Sequence, residues 1–133
     1  MRSPTSRAAL ALAAILLFAL PLIASNCASP AGARTVTMEG EIIDPQCWYT
    51  HGGRGESHRD CALMCARGGQ TLAFLNRAGE RVYPIIAGAH GANPNDSLYA
   101  VVGYPVIVTG TLYARRGQQA LVVTHAARIG ATP

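Results

Sequence analysis

The amino-acid sequence predicts a mainly β fold, a small five-stranded barrel with one short helix inserted after the first strand. Apolar and polar residues alternate along several short segments, as they do in strands with one buried face. Half of the residues are hydrophobic but only 6% are aromatic, which favours a small core of valine, isoleucine and alanine. The helix is indicated by the segment Cys47 to Cys65, which holds three of the four cysteines.

The N-terminus has the pattern of a secretory signal peptide. Arg2 and Arg7 form a short basic region, an uncharged apolar run covers residues 8–24, and Ala31-Gly32-Ala33 offers small residues for cleavage. The prediction is a signal peptide at residues 1–33 and a mature domain at residues 34–133. Without Arg2 and Arg7 the formal net charge falls from +4 to +2.

Two other interpretations of the N-terminus stay open. Cys27 closely follows the apolar run and is the candidate lipidation site if the leader is that of a lipoprotein. The run is also near the lower limit of about 17 residues for a membrane-spanning helix, so an uncleaved anchor is the third interpretation. All three predict export to the periplasm or the extracellular space, the last two with a membrane tether.

Five strands are expected in the mature domain. They are predicted at residues 35–44, 71–75, 81–86, 105–113 and 119–129. The second and third strands form one hairpin, and the last two form another across Arg115-Arg116-Gly117. Asn95-Asp96-Ser97 caps a short helical turn from Leu98 to Val102. His125 shares the phase of Leu121 and Val123, which predicts a partly buried structural histidine.

This order of elements is typical of a small closed barrel of the OB type, with a Cys/His insertion at residues 45–69. A parallel sheet would need long helical crossovers, for which the chain has no room.

The insertion carries its histidine and cysteines at helical spacing. His58, Cys61 and Cys65 occupy positions i, i+3 and i+7, which places them on one helix face. Ser57 is the expected N-cap of a helix of about ten residues, which ends before Gly68-Gly69. Cys47 is expected in the loop after Asp44-Pro45, from which it can fold back toward the helix.

Three thiolates and one imidazole form a known tetrahedral zinc site, so the predicted metal ligands are Cys47, His58, Cys61 and Cys65. Cu(I) is the competing ion because soft thiolates select it. Arg54 and Arg59 are expected to screen the negative charge of the thiolates. His51, in a glycine-rich loop, is the alternative imidazole ligand.

Two interpretations without metal are also open. Cys47 could form a disulfide with Cys61 or Cys65, which leaves one free thiol in a disulfide-stapled binding module. Cys61 and Cys65 cannot pair with each other, because helix positions four apart have Cβ atoms about 6 Å apart. The cysteines could instead carry out thiol redox chemistry.

The remaining functional classes find little support. The sequence shows no paired nucleophile and base and no phosphate-binding loop, which argues against an enzyme. The arginines are spaced among acidic residues rather than clustered, so we expect no nucleic-acid partner. The expected partner is a protein or a small ligand of the cell envelope.

The chain resembles a group of small exported bacterial OB-like proteins whose function is not characterised. The resemblance lies in Gly40 to Cys47, in His58 to Cys65 and in Gly68-Gly69, which together give a C…HxxCxxxC arrangement. It implies the OB-like fold and a metal-binding cluster. The CxxxC spacing of Cys61 and Cys65 is also similar to the copper motif of exported assembly factors for cytochrome oxidase, although Ala66 replaces the proline of that motif.

Overall fold

The computed structural model describes residues 32–78 and 80–131, which form five strands and two short α-helices. Their bounds are β1 Ala33–Ile43, α1 Pro45–His51, α2 Arg59–Arg67, β2 Ala73–Asn76, β3 Arg81–Pro84, β4 Pro105–Arg115 and β5 Gln118–Arg128. One 3-10 turn, Glu56–His58, leads directly into α2. Cys27 and nearly all of the predicted signal peptide lie outside the described residues.

The strands form a single curled sheet in the order β3-β2-β1-β4-β5, and every neighbouring pair is antiparallel. The mainly β prediction is therefore confirmed. The two edges of the sheet approach each other, because Ile85, just beyond β3, forms a parallel bridge with Leu121 of β5. The backbone N–H of Ile86 also donates to the carbonyl of Leu121 across 2.9 Å.

The central strand β1 pairs with β4 along most of its length and with β2 at its C-terminal end. The predicted alternation of β1 is confirmed, since Val36 and Ile42 are buried while Thr37 and Glu39 are exposed. A glycine is required at position 40, because a Cβ there would lie 2.2 Å from the carbonyl oxygen of Leu75 on β2.

The main core lies inside the curled sheet and combines strand residues with one face of α2. Fully buried side chains include Phe74, Ile42, Leu72, Leu112 and Leu121. A smaller cluster of Ile43, Ala73 and Leu75 lies on the opposite face of the sheet, at the C-terminal end of β1, where Trp48 packs against it. The helices are therefore attached to the sheet by apolar contacts.

Strand β5 differs from the prediction. A β-bulge at Thr124 shifts the register, so that His125 pairs with Thr109 while Val123 pairs with Gly110. The shift turns His125 outward, and its side chain is exposed rather than partly buried. Ile129, just beyond the end of β5, is also exposed.

The segment between β3 and β4 contains turns and no regular helix among residues 85–104. The predicted helical turn is present, since the N–H groups of Val101 and Val102 both donate to the carbonyl of Leu98, at 2.9 and 3.1 Å. Asn95 does not cap a helix with its side chain. Its side chain is buried, accepts the N–H of Leu72 at 3.0 Å and donates to the carbonyl of Gln70 at 2.9 Å. Asn95 therefore fastens this segment to the start of β2.

Candidate metal centre

Helix α1 carries Cys47, which the sequence placed in a loop. Asp44 is the N-cap, and its carboxylate accepts the N–H of Gln46 at 2.8 Å. Pro45 occupies the first helical turn, where its missing N–H costs nothing. Gly52 ends the helix in the left-handed conformation, at φ 71°. These signals define one helix of seven residues, and Cys47 is its buried residue.

Helix α2 carries Cys61 and Cys65. It begins at Arg59, one residue later than expected, because the 3-10 turn occupies Glu56–His58. Ser57 is therefore not the N-cap; His58 is, and its side chain forms no capping hydrogen bond. The opposite face of α2 buries Ala62, Leu63 and Ala66 in the main core, which fixes the orientation of the cysteines.

Three metal-binding side chains meet between the two helices. Ligand atoms of Cys47, His58 and Cys61 all lie within 4.8 Å of one another, close enough to hold a metal ion. The Sγ atoms of Cys47 and Cys61 are 3.7 Å apart, far beyond the 2.05 Å of a disulfide bond. Two thiolates on one tetrahedral zinc ion, at about 2.3 Å each, are about 3.8 Å apart. The two thiols therefore already have the separation that a shared ion requires.

Cys65, the fourth predicted ligand, and His51, the alternative ligand, lie next to these three residues but do not belong to the group. Cys65 is a half-buried free thiol that interacts with Asp44 and Cys61. His51 lies on the exposed side, with its Nε2 atom 3.1 Å from Nε2 of His58. Either Cys65 or His51 is thus close enough to supply the fourth ligand of a metal ion.

Burial and the Asp44 carboxylate raise the pKa of two thiols, those of Cys47 and Cys65. The side chain of Asp44 is 1% exposed, and its Oδ2 atom accepts a hydrogen bond from Sγ of Cys47 at 3.3 Å. Burial, together with the Asp44 carboxylate and Cys61, raises the pKa of Cys47 to about 12. The hydrogen bond to Asp44, followed by burial, also raises the pKa of Cys65. Without metal, Cys47 is therefore a protonated thiol at neutral pH.

The two arginines expected to screen the site are engaged elsewhere. The guanidinium of Arg54 stacks 5.3 Å above the ring of Trp48. Arg59 donates to the carbonyl of Tyr99 at 3.1 Å and lies 5.2 Å from the ring centre of Tyr104. Arg54 thus makes a contact within the insertion, and Arg59 connects the insertion to the segment before β4.

Tyr104 anchors the insertion to the sheet. Besides Arg59, Arg128 of β5 lies over its ring at 3.5 Å, and its hydroxyl donates to Glu56 at 3.3 Å. On the other side, the carboxylate of Glu41 on β1 accepts the N–H of Gly55. The loop and the 3-10 turn that position His58 are thus fastened to the sheet at two points.

Sequence reasoning missed three residues that shape the site, namely Asp44, Thr50 and Gly53. The Asp44-Pro45 pair is a recognisable helix start and was the available signal for α1. Nothing in the sequence marks Thr50 or Gly53, because their roles depend on where the two imidazoles meet.

Comparison with known proteins found no relative. No family model matches the chain, and neither does any curated protein or solved structure. Among residues 32–78 and 80–131, no helix has the length and apolar character needed to cross a membrane.

Proposed function

We propose that the protein is an exported metal-binding protein whose ion is held between α1 and α2. The observation that carries the proposal is the meeting of Cys47, His58 and Cys61 within 4.8 Å. Thiolates and imidazoles are the donors that zinc prefers, and three of them held by two packed helices form most of a tetrahedral site. The fourth ligand comes from one of the two flanking residues, Cys65 or His51.

Zinc is the first candidate ion. The 3.7 Å separation of the two Sγ atoms fits two thiolates on tetrahedral zinc, and the histidine neighbours add nitrogen donors that suit a divalent ion. Cu(I) is the second candidate, supported by the three soft sulfur atoms of Cys47, Cys61 and Cys65. The ion is either a structural staple for the insertion or a cargo that the protein stores or delivers.

The fold and location form part of the same proposal. The strand order, together with the bridge from Ile85 to Leu121, supports a closing barrel of the OB type. The basic and apolar pattern of residues 1–33 supports export, with Cys27 as a lipid attachment point in the tethered alternative. The binding partner is then a protein or a small ligand of the cell envelope.

The test is elemental analysis with a parallel count of free thiols, on protein processed by an exporting host and purified without a histidine tag. We expect about one zinc or copper ion per chain in the wild type and none in Cys61→Ser. The matched control is His125→Ala, which removes an exposed histidine on β5 and is expected to keep the metal. A wild-type chain without metal would overturn the proposal.

A disulfide-stapled module is the second candidate function, because Cys47 and Cys61 are already close and Cys65 would remain as the odd thiol. The same experiment separates the two. A disulfide predicts no metal and two fewer free thiols in the wild type than after reduction. Metal binding predicts that all thiols are reduced once the ion is removed.

A further inference from the structure

The exposed side of the metal centre contains two imidazoles in direct contact. His51 closes α1 and His58 precedes α2, and their Nε2 atoms are 3.1 Å apart. The ring centres are 5.0 Å apart and the ring planes are inclined by 52°. The two rings therefore meet at their Nε2 atoms rather than stacking.

Thr50 determines which nitrogen of His51 carries the proton. Its hydroxyl lies 2.8 Å from the carbonyl of Gln46, which can only accept, so the single hydroxyl proton is used there. The same oxygen is 2.8 Å from Nδ1 of His51 and must accept from it. Nδ1 of His51 is thus protonated, and its Nε2 presents a lone pair toward His58. This is the arrangement that orients histidine ligands in metal sites.

With that tautomer, a proton or a metal ion must lie between the two Nε2 atoms. Two bare lone pairs at 3.1 Å would repel, so in the metal-free protein His58 donates its Nε2 proton to His51. Two imidazole nitrogens on one tetrahedral zinc ion, at about 2.0–2.1 Å each, are about 3.3–3.4 Å apart. An ion can therefore replace the shared proton with little separation of the rings.

Gly53 leaves the space in which the two imidazoles meet. A Cβ at Gly53 would lie 2.6 Å from Nε2 of His58 and 2.9 Å from Nε2 of His51. Gly53 is buried under the two rings and does not have a positive φ angle. A glycine is thus needed here for the space that the imidazoles occupy.

From these contacts we infer that His51 is the fourth ligand, bound through Nε2, so that the ion is held by Cys47, Cys61, His51 and His58. The inference rests on the proposed function and deepens it. The Nε2 atom of His51 already faces Nε2 of His58, so the two imidazoles can share one ion. Cys65 then stays outside the coordination sphere as a thiol beside Asp44.

The first test is zinc affinity, measured by competition with a chromophoric chelator. We expect His51→Ala to weaken zinc binding by about 100-fold or more, since loss of a ligand should exceed the 10–100-fold effect of losing a residue that orients one. Cys65→Ala is expected to bind within about threefold of the wild type. His125→Ala is the control, because it also removes an exposed histidine.

Two outcomes contradict the inference in different ways. Wild-type affinity in His51→Ala, or a large loss in Cys65→Ala, would assign the fourth position to Cys65 and leave the proposed function standing. A wild-type chain that binds neither zinc nor Cu(I) would overturn both.

Thr50 supplies a test that leaves all candidate ligands intact. Thr50→Val removes the acceptor for Nδ1 of His51 and is expected to weaken zinc binding about 10–100-fold, while Thr50→Ser keeps the hydroxyl and the affinity. Equal affinities of the two variants would contradict a ligand role for His51. Thr50 is exposed, so neither change disturbs the core.

Alkylation of the zinc-loaded protein provides an independent readout. Peptide mass spectrometry separates modification of each cysteine, including Cys27 if it is retained. With His51 as a ligand, zinc slows the labelling of Cys61 by iodoacetamide relative to the metal-free protein, whereas Cys65, whose raised pKa already slows its reaction, is labelled at the same rate with and without zinc. A labelling rate of Cys65 that falls when zinc is added would show that Cys65 is bound to the ion and would overturn the inference.

Discussion

The buried thiol of Cys47 lies beside the buried carboxylate of Asp44, and this arrangement lowers the stability of the metal-free protein at high pH. The pKa of Cys47 is raised to about 12 from a reference of 9.0, so the folded metal-free protein holds a proton that the unfolded chain releases. The stabilising effect of that raised pKa is complete below about pH 9. It is lost as the pH rises toward 12.

We therefore expect the metal-free wild type to lose free energy of unfolding steadily above about pH 9, relative to Cys47→Ser measured under the same conditions. Urea denaturation at several pH values in the presence of a chelator measures the difference. The subtraction removes the contributions of tyrosines and other groups that titrate in both proteins. A constant difference between the two proteins across this range would contradict the raised pKa.

Gly53 is the second residue whose substitution is expected to have a large effect, in this case on zinc affinity. Gly53→Ala should push the imidazoles of His51 and His58 apart, because the new methyl group would lie under 3.0 Å from both Nε2 atoms. We expect zinc affinity to fall at least tenfold with little change in stability of the metal-free protein. Gly88→Ala, in an exposed loop away from the helices, is the control. Unchanged zinc affinity in Gly53→Ala would mean that the ring contact does not matter for the ion.

At the scale of elements, the strands were predictable and the helices only in part. Alternation revealed β1 and both hairpins because each strand buries one face. Helix α1 has seven residues, too few to show a helical period, so only its start signal at Asp44-Pro45 could have revealed it. The bulge at Thr124 was not predictable either, because it depends on how β5 pairs with β4 and not on local composition.

The candidate site was likewise predictable only where it depends on local sequence. The helical spacing of His58 and Cys61 placed them on one face from sequence alone. The position of Cys47 opposite Cys61, and the contact of His51 with His58, follow from the angle between α1 and α2. That angle depends on the apolar contacts of Trp48 and of Ala62, Leu63 and Ala66 with the sheet, which no spacing rule supplies.

Tyr104 is the residue through which the 3-10 turn and α2 are joined to the sheet. Tyr104→Ala removes two cation–π contacts, which we expect to lower the free energy of unfolding by about 1–2 kcal/mol. Tyr104→Phe keeps the ring and loses only the hydrogen bond to Glu56, so its loss should be about 0.5 kcal/mol. Chemical denaturation of the three proteins without metal measures both values. Equal losses in the two variants would show that the ring contacts contribute nothing.

On the scale of the whole molecule, the main core is built without the candidate metal ligands. The main core draws on all five strands, and α2 contributes three buried side chains to it without any help from the cysteines. This differs from small zinc domains, which unfold when the metal is removed. The candidate metal centre is a local addition to a domain that already has a core.

Chelation should therefore lower the melting temperature without unfolding the protein at 25 °C. Zinc at about 100 times its dissociation constant stabilises a protein by about 2.7 kcal/mol. For a domain of this size, that loss corresponds to a fall of about 10–20 °C in Tm. Circular dichroism with and without a chelator tests this, with Cys61→Ser expected to show no shift. Loss of the β signal on chelation at 25 °C would mean that the fold requires the ion.

The two facing thiols lie 14 positions apart in the chain, and the glycine-rich segment from Gly52 to Gly55 runs between them. An ion bound to both Cys47 and Cys61 would turn this stretch into a closed ring. Large excursions of the ring would then have to wait until the ion leaves. The dwell time of the metal, rather than the intrinsic flexibility of glycine, would set how often this part of the backbone opens to solvent.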